Sequence, residues 1–237
     1  MGLVLGIDVS TTATKAVLVD PAGTVRGIGT AEQDFSMPQP LWSEQEPAAW
    51  WDAAQLAIRA VLTSTSARGE DVEAVGLTGQ MHGAVLLDTA GSVLRPAILW
   101  NDGRAVAQCM ELEQAVPGSR QITGNLMMPG FTAPKLLWVA KHEPTLFDRV
   151  RKVLLPKDWL RWRLCGDYAT DLSDASGTLW LDVGKRAWSD ELLAACGLST
   201  EHMPDLHEGY GSPIGGVAAK LAKGSDCFRS CGRRRHG

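Results

Sequence analysis

Apolar and polar positions alternate at the start of the chain and predict three consecutive strands, over residues 3–9, 14–20 and 24–30. Pro21-Ala-Gly23 supplies the turn between the second and third. A stiff stretch, Met37-Pro-Gln-Pro40, reads as a surface loop. From Pro47 the period changes: Trp50, Ala54, Ala57, Ile58, Val61 and Leu62 share one helical face, and proline suits a first helical position. Further strands are predicted over 72–78 (expected to be buried), 84–87 and 97–100. Helices follow, one running to about Ala115 and two opened by Pro134 and Pro156 that continue through Ala140 and Leu164. Ser189 is placed to cap a helix that stops at Gly197. Strands that lead through loops into helices define an α/β domain.

Composition narrows this picture modestly. The 237 residues are 45% hydrophobic and 21% charged, enough apolar content for a real core. A formal net charge of -4 argues against nucleic acid as a partner, since such binding needs a basic face. Nine tryptophans are expected in the core or facing a sugar, because indole offers a flat apolar surface with one donor. Cys109, Cys165 and Cys196 lie far apart in helix-like stretches, with neither metal spacing nor a disulfide framework. A cytoplasmic location is therefore expected. Asp8 interrupts the first apolar run too early for a signal peptide, and no window suggests a membrane span.

Three constellations carry candidate chemistry. In Gly6-Ile-Asp8-Val-Ser10-Thr-Thr12, followed by Thr14 and Lys15, hydroxyls crowd a tight turn beside one carboxylate. Such a turn suits phosphate, with Asp8 positioned to hold Mg²⁺ through water. The alternative is a polar hairpin with a solvated aspartate. Neither common phosphate-loop glycine motif is present. In Gln80-Met81-His82-Gly83, glycines on both sides allow a close backbone approach, and Gln80 and His82 offer hydrogen bonds to sugar hydroxyls. A structural histidine is the alternative. Trp100-Asn101-Asp102-Gly103-Arg104 gathers an indole, an amide, a carboxylate and a guanidinium at a strand-to-helix junction, a set that suits a polyol. Here the alternative is Asp102 as a helix N-cap with Arg104 in a surface ion pair. Ligand clefts of α/β folds form at the carboxyl ends of strands, where the last two motifs sit. Lys135 reads as part of an amphipathic helix, and Asp171, Ser173, Asp174, Ser176 and Gly177 as turn and capping residues.

These segments, with Leu41-Trp-Ser-Glu-Gln45, the stretch from Ile122 to Trp138, and Leu154-Leu-Pro-Lys-Asp158, closely resemble the N-terminal domain of the FGGY carbohydrate kinases, and within them the xylulokinases. The resemblance covers residues 1–222. It implies the ribonuclease-H-like α/β domain shared by actin and hexokinase, with a mixed sheet flanked by helices and a second similar domain as its partner. It implies ATP and Mg²⁺ as cofactors, and phosphoryl transfer from ATP to D-xylulose to give D-xylulose 5-phosphate. Met81 and His82 are then expected to touch the ketose, with Gln80 and Asn101 beside them. Trp100, Asp102 and Arg104 would shape the pocket. Asp8 would lie near the transferred phosphate and the metal, with Ser10, Thr11, Thr12 and Lys15 as phosphate contacts. A homodimer is a possible assembly. The nearby readings are a ribulose or glycerol kinase, and a sugar-binding module without catalysis.

Residues 1–224 are expected to form the sugar-binding domain, and 225–237 to depart from the family as a disordered tail. The family's general base is an aspartate after a glycine run, where this chain has Gly232-Arg-Arg-Arg-His-Gly237. Were Gly232–Arg235 encoded GGC-CGG-CGG-CGG, reading one base later would give Ala-Gly-Gly-Gly, so a frameshift is the expectation for this segment. The resemblance then implies that the adenosine-binding domain and the base are absent from this chain, which would be inactive alone.

Overall fold

The computed structural model describes residues 2–208. The predicted tail at 225–237 lies outside them. The chain opens with a meander, β1 (Leu3–Val9), β2 (Ala13–Val19) and β3 (Val25–Glu32), close to the predicted bounds. A short β4 (Glu44–Gln45) precedes the long helix α1 (Pro47–Thr65) and the strand β5 (Val72–Gly79). These build a mixed sheet of order β3-β2-β1-β5, in which β1 pairs antiparallel with β2 and parallel with β5.

Burial explains why these elements form. Leu5, Ile7 and Val9 on β1 and Ala16 and Leu18 on β2 are buried at every second position. Trp50, Ala53, Ala54, Ala57, Ile58, Val61 and Leu62 make the helical stripe that meets them. The helix ends where Ser66 turns left-handed at φ 54° and its N–H returns to the carbonyls of Leu62 and Thr63. Strand β5 corrects the expectation of a buried element. It forms where predicted, yet only Val72 is buried along it, because it ends the described sheet and pairs there with β1 alone.

A second layer follows. β6 (Val85–Leu87) pairs with β8 (Lys152–Leu154), and β7 (Ala97–Ile98) pairs with β4, ending two residues earlier than predicted. Trp100 is thereby left in a turn. Helices α2 (Val106–Ala115), α3 (Ser119–Thr123), α4 (Thr132–His142), α5 (Pro144–Phe147) and α6 (Pro156–Cys165) match the predicted helical stretches, with two short additions. β9 (Ala169–Asp171) and α7 (Leu172–Ser176) lead into the hairpin of β10 (Leu181–Asp182) and β11 (Ala187–Trp188). Helix α8 (Asp190–Ala195) is capped by the Ser189 side chain, which accepts from the Leu192 N–H, and β12 (Asp205–His207) joins β9.

Two apolar cores result. One lies between the sheet, α1 and α6; the other gathers Leu112, Leu136, Val139, Trp180 and Leu193 around α2, α4 and α8. Cys109 and Cys196 are buried in the second, where desolvation pushes their thiols up to about 11 and about 12. Among the described residues no helix is long and apolar enough to cross a membrane.

The seam between α1 and β3 depends on glycine. A Cβ at Gly29 would lie 2.1 Å from the Ala57 carbonyl oxygen and 2.8 Å from the Val61 nitrogen. Gly29→Ala is therefore expected to destabilise the chain by ~3 kcal/mol in chemical denaturation. Gly76→Ala on β5, where a Cβ meets nothing within 4 Å, is expected to stay within ~0.5 kcal/mol.

Candidate functional site

Because β1 and β5 run parallel, their carboxyl ends lie side by side: Asp8 is in register with Thr78, and the Gln80 N–H donates to the Val9 carbonyl at 2.8 Å. Two of the three predicted motifs thus meet at one sheet edge. The first is the turn after β1. Asp8 is exposed and engages no side chain among the described residues; Lys15, its cross-strand partner on β2, is exposed too, as is Thr12. The remaining hydroxyls are already engaged. Ser10 Oγ donates to the Ala13 carbonyl at 2.7 Å, and Thr14 points inward and donates to Gln33 Oε1 at 2.9 Å. Thr11 donates toward Gln80 Oε1 at 3.4 Å and accepts the Trp100 indole N–H at 3.1 Å. Phosphate oxygens need donors, so Ser10 and Thr11 serve the shape of the turn, while Thr12 and Lys15 remain open to an anion.

The second motif is held from several sides. Gln80 is buried and donates to Gln45 Oε1 at 3.1 Å; that oxygen also accepts the Trp50 indole N–H at 2.7 Å. Gln45 Nε2 donates to the Thr11 and Asp34 carbonyls at 2.8 and 2.9 Å. Gln80 is therefore part of the frame rather than a free sugar ligand, and Gln45 joins the site although its chemistry went unread in the sequence. Met81 is half-exposed. His82 has a left-handed backbone, φ 65°, and its ring packs edge-on against Phe131 at 4.6 Å. Its Nδ1 lies 2.8 Å from the Gly177 carbonyl, which only accepts, so Nδ1 carries the proton and Nε2 presents a lone pair. Burial lowers the His82 pKa, helped by Lys135 and opposed by the Gly177 hydrogen bond and Asp174, which keeps the ring neutral. Gly177 is glycine for a reason: a Cβ there would lie 2.3 Å from His82 Cε1.

The third motif divides. The Trp100 ring is half-exposed beside Thr11, and Asn101 is exposed. Asp102 and Arg104, expected to shape the sugar pocket, are turned onto each other. Arg104 donates to both Asp102 carboxylate oxygens from Nε, at 2.9 and 3.0 Å, and from Nη2 to Oδ2 at 2.7 Å. The Ser43 N–H donates to Asp102 Oδ2 at 2.6 Å. The guanidinium lies 3.7 Å from the centre of the Trp42 ring, and Glu44 bridges it to Arg95, which also holds Glu143. Both side chains are buried, so neither the N-cap nor the surface ion pair applies; α2 begins at Val106 with Ala105 before it. An ion pair enclosed by indoles and closed by backbone donors is satisfied without a ligand, which leaves Trp100 and Asn101 as the exposed part of the motif.

Sequence reading also missed two lysines. Lys135, at 0% exposure, donates to the carbonyls of His82 at 2.7 Å and Gly130 at 2.6 Å. Lys157 binds Asp158 at 2.6 Å, Asp171 at 2.8 Å and Asp174 at 3.1 Å. Asp171 does cap α7 as expected, accepting from the Asp174 N–H, but with Asp174 it also anchors that helix to α6. Lys135 interrupts a run of apolar neighbours, whereas Lys157 stands beside Asp158 and its sequence surroundings give no such signal.

The architecture agrees with the comparisons. The model of the FGGY family of carbohydrate kinases, N-terminal domain, matches residues 3–225. The chain belongs to the FGGY carbohydrate kinase family. It is 56% identical over 205 residues to the xylulose kinase of Escherichia coli K12, a match covering 86% of this chain and 42% of that protein. Among solved structures, the "xyloylose kinase" of Brucella ovis superposes with a TM-score of 0.87 at 50% identity, covering 92% of this chain and 46% of that one. The xylulose kinase of Rhodospirillum rubrum gives a TM-score of 0.86 at 30% identity, covering 94% of this chain and 46% of that one. The chain thus spans less than half the length of these relatives. Its fold is the ribonuclease-H-like α/β architecture of the actin and hexokinase type, as the FGGY resemblance implied.

Two outcomes follow from the buried charges. Asp102→Ala removes the bidentate partner of the buried Arg104 guanidinium, leaving it Glu44, and is expected to cost ~3 kcal/mol in denaturant unfolding. Burial pulls the Lys135 ammonium down to about 7, with Asp102 opposing and Arg104 adding to the shift. The unfolded lysine titrates near ~10.4, so between these values the unfolded chain binds more protons. The contribution of Lys135 to stability therefore rises with pH from about 7 upward. In unfolding measured from pH 7 to 9, that increment is expected in the natural chain and absent from Lys135→Met.

Proposed function

We propose that this chain is the ketose-binding part of an ATP-dependent xylulokinase, the reaction being ATP + D-xylulose → ADP + D-xylulose 5-phosphate. The observation that carries the reading is the convergence of an exposed carboxylate, Asp8, with the half-exposed His82 and Trp100 loops, in a chain 56% identical over 205 residues to a xylulose kinase. In this reading the Trp100 indole and Met81 cover the apolar C–H face of the sugar. His82 Nε2 accepts a hydroxyl hydrogen, because its other nitrogen is committed as a donor to Gly177. Asn101 supplies an adjustable donor and acceptor.

The exposed Asp8 carboxylate fits Mg²⁺ held through water, and Thr12 and Lys15 fit the phosphates of ATP. Bound there, Mg²⁺ would supply charge neutralisation on the transferring phosphoryl group. Ser10 and Thr11 hold the turn that follows Asp8, and Asp102 with Arg104 holds the Trp100 turn from behind. The segment in which the family's proton-accepting aspartate is expected lies beyond the described residues.

Calorimetric titration of the purified chain with D-xylulose, with ribulose and glycerol as controls, tests the reading. Binding selective for D-xylulose is expected, weakened at least ~10-fold by His82→Ala, the effect of losing one buried polar contact. Equal heats from all three compounds, or an affinity indifferent to His82, would overturn the assignment.

A further inference from the structure

We propose that Lys135 is a positioning residue of the sugar site, its ammonium clamping the His82 and Gly130 carbonyls so that the His82 and Trp100 loops keep one relative geometry. The proposal rests on the xylulokinase reading for its ligand, but the clamp itself rests on geometry alone. Lys135 sits on the buried face of α4, with Leu136 and Val139 in the same core. Among the described residues it forms no ion pair; its partners are the two carbonyls, at 2.7 and 2.6 Å. A methionine or leucine would fill the same volume without desolvating a charge, so what the position requires is donors.

Both accepting residues lie where the site is most constrained. His82 holds a left-handed backbone that a residue with a Cβ adopts only when its surroundings enforce it. Its carbonyl takes hydrogen bonds from Lys135 and from Thr132 Oγ1, the latter at 3.2 Å, both on α4. Gly130 lies directly against the Trp100 turn: a Cβ there would be 2.5 Å from the Trp100 carbonyl oxygen. One ammonium therefore ties the loop after β5 to the segment on which the Trp100 turn rests. The ring of His82 meets the Gly177 carbonyl at the end of α7, a contact whose geometry follows from where the His82 backbone is held. Lys135 holds the backbone and Gly177 the imidazole, and together they aim Nε2.

The test uses the full chain with ¹⁵N-labelled histidine, the His82 ring signals being assigned by their loss in His82→Ala. In the natural chain the ring is expected as a single neutral Nδ1–H tautomer. In Lys135→Met the signals are expected to shift toward a tautomer average, and D-xylulose affinity to fall ~10-fold or more. Because Lys135 acts through His82, the double variant Lys135→Met/His82→Ala is expected to bind no more weakly than His82→Ala. A Lys135→Met chain that keeps both the His82 tautomer and the natural affinity would overturn the proposal, and so would losses that multiply in the double variant. If the natural chain binds no D-xylulose, the xylulokinase reading fails, while the ring signals still decide the clamp. Should Lys135→Met not fold, Thr132→Val removes the other donor to the same carbonyl at nearly constant volume. A partial tautomer shift is then expected, and an unchanged ring would count against the clamp.

Discussion

The parallel pairing of β1 with β5 is the constraint from which the site follows. Antiparallel pairing alone, as between β1 and β2, would bring the start of one strand beside the end of the other. With β5 parallel, the end of β1 that carries Asp8 and the loop that carries Met81 and His82 lie at the same end of the sheet. The long helix α1 makes this possible, because a parallel partner needs a crossover. That helix seats on the sheet only where Gly29 and Gly27 leave room for its backbone and side chains. A chemical requirement, two loops at one edge, is thus met by a packing requirement on β3, at the opposite edge of the described sheet.

A hydrogen-bond network then turns adjacency into geometry. Gln45 Oε1 accepts from both Trp50 and Gln80, while its amide nitrogen donates to Thr11 and Asp34. Each glutamine uses its donor and acceptor ends on different elements, so neither can reorient alone. Thr11 in turn receives the Trp100 indole N–H, which ties that half-exposed ring to the network. Polar networks of this kind hold a shape well when every member is satisfied, and they are costly when one is lost.

What the sequence disclosed follows from the range of the interactions involved. The meander, the α1 stripe and the Ser189 cap are set by neighbours within a few residues, and periodicity reveals them. The motifs at 80–83 and 100–104 were visible because strand ends and glycines mark ligand loops. Their internal division was not. Asp102 and Arg104 read as sugar contacts because their type suits a polyol, yet Trp42, Ser43, Glu44 and Arg95 supply the environment that turns them inward. Strand β5 read as buried because its apolar residues promise burial, but the described sheet covers only one of its edges. Lys135 was read as one more position of an amphipathic helix, and only the folded chain shows a lysine on the covered side.

Lys135 and Lys157 show how one residue type serves opposite electrostatic ends within a short distance of His82. Burial works against the charge on both. At Lys157 the carboxylates of Asp158, Asp174 and Asp171 overcome that cost and raise its pKa, so it remains a cation that fastens α7 to α6. The fully buried Asp158 contributes to this pair even though desolvation raises its own pKa. At Lys135 no carboxylate comes within ion-pair reach among the described residues, and burial prevails. A neutral amine still donates two hydrogens, one for each carbonyl, so the clamp does not require the charge. Lys157 thus secures the Gly177 side of His82 by ion pairing, and Lys135 secures its backbone by hydrogen bonding. The imidazole stays neutral chiefly because burial disfavours its charged form, and the neutral ring needs only its Nδ1 proton to satisfy the Gly177 carbonyl.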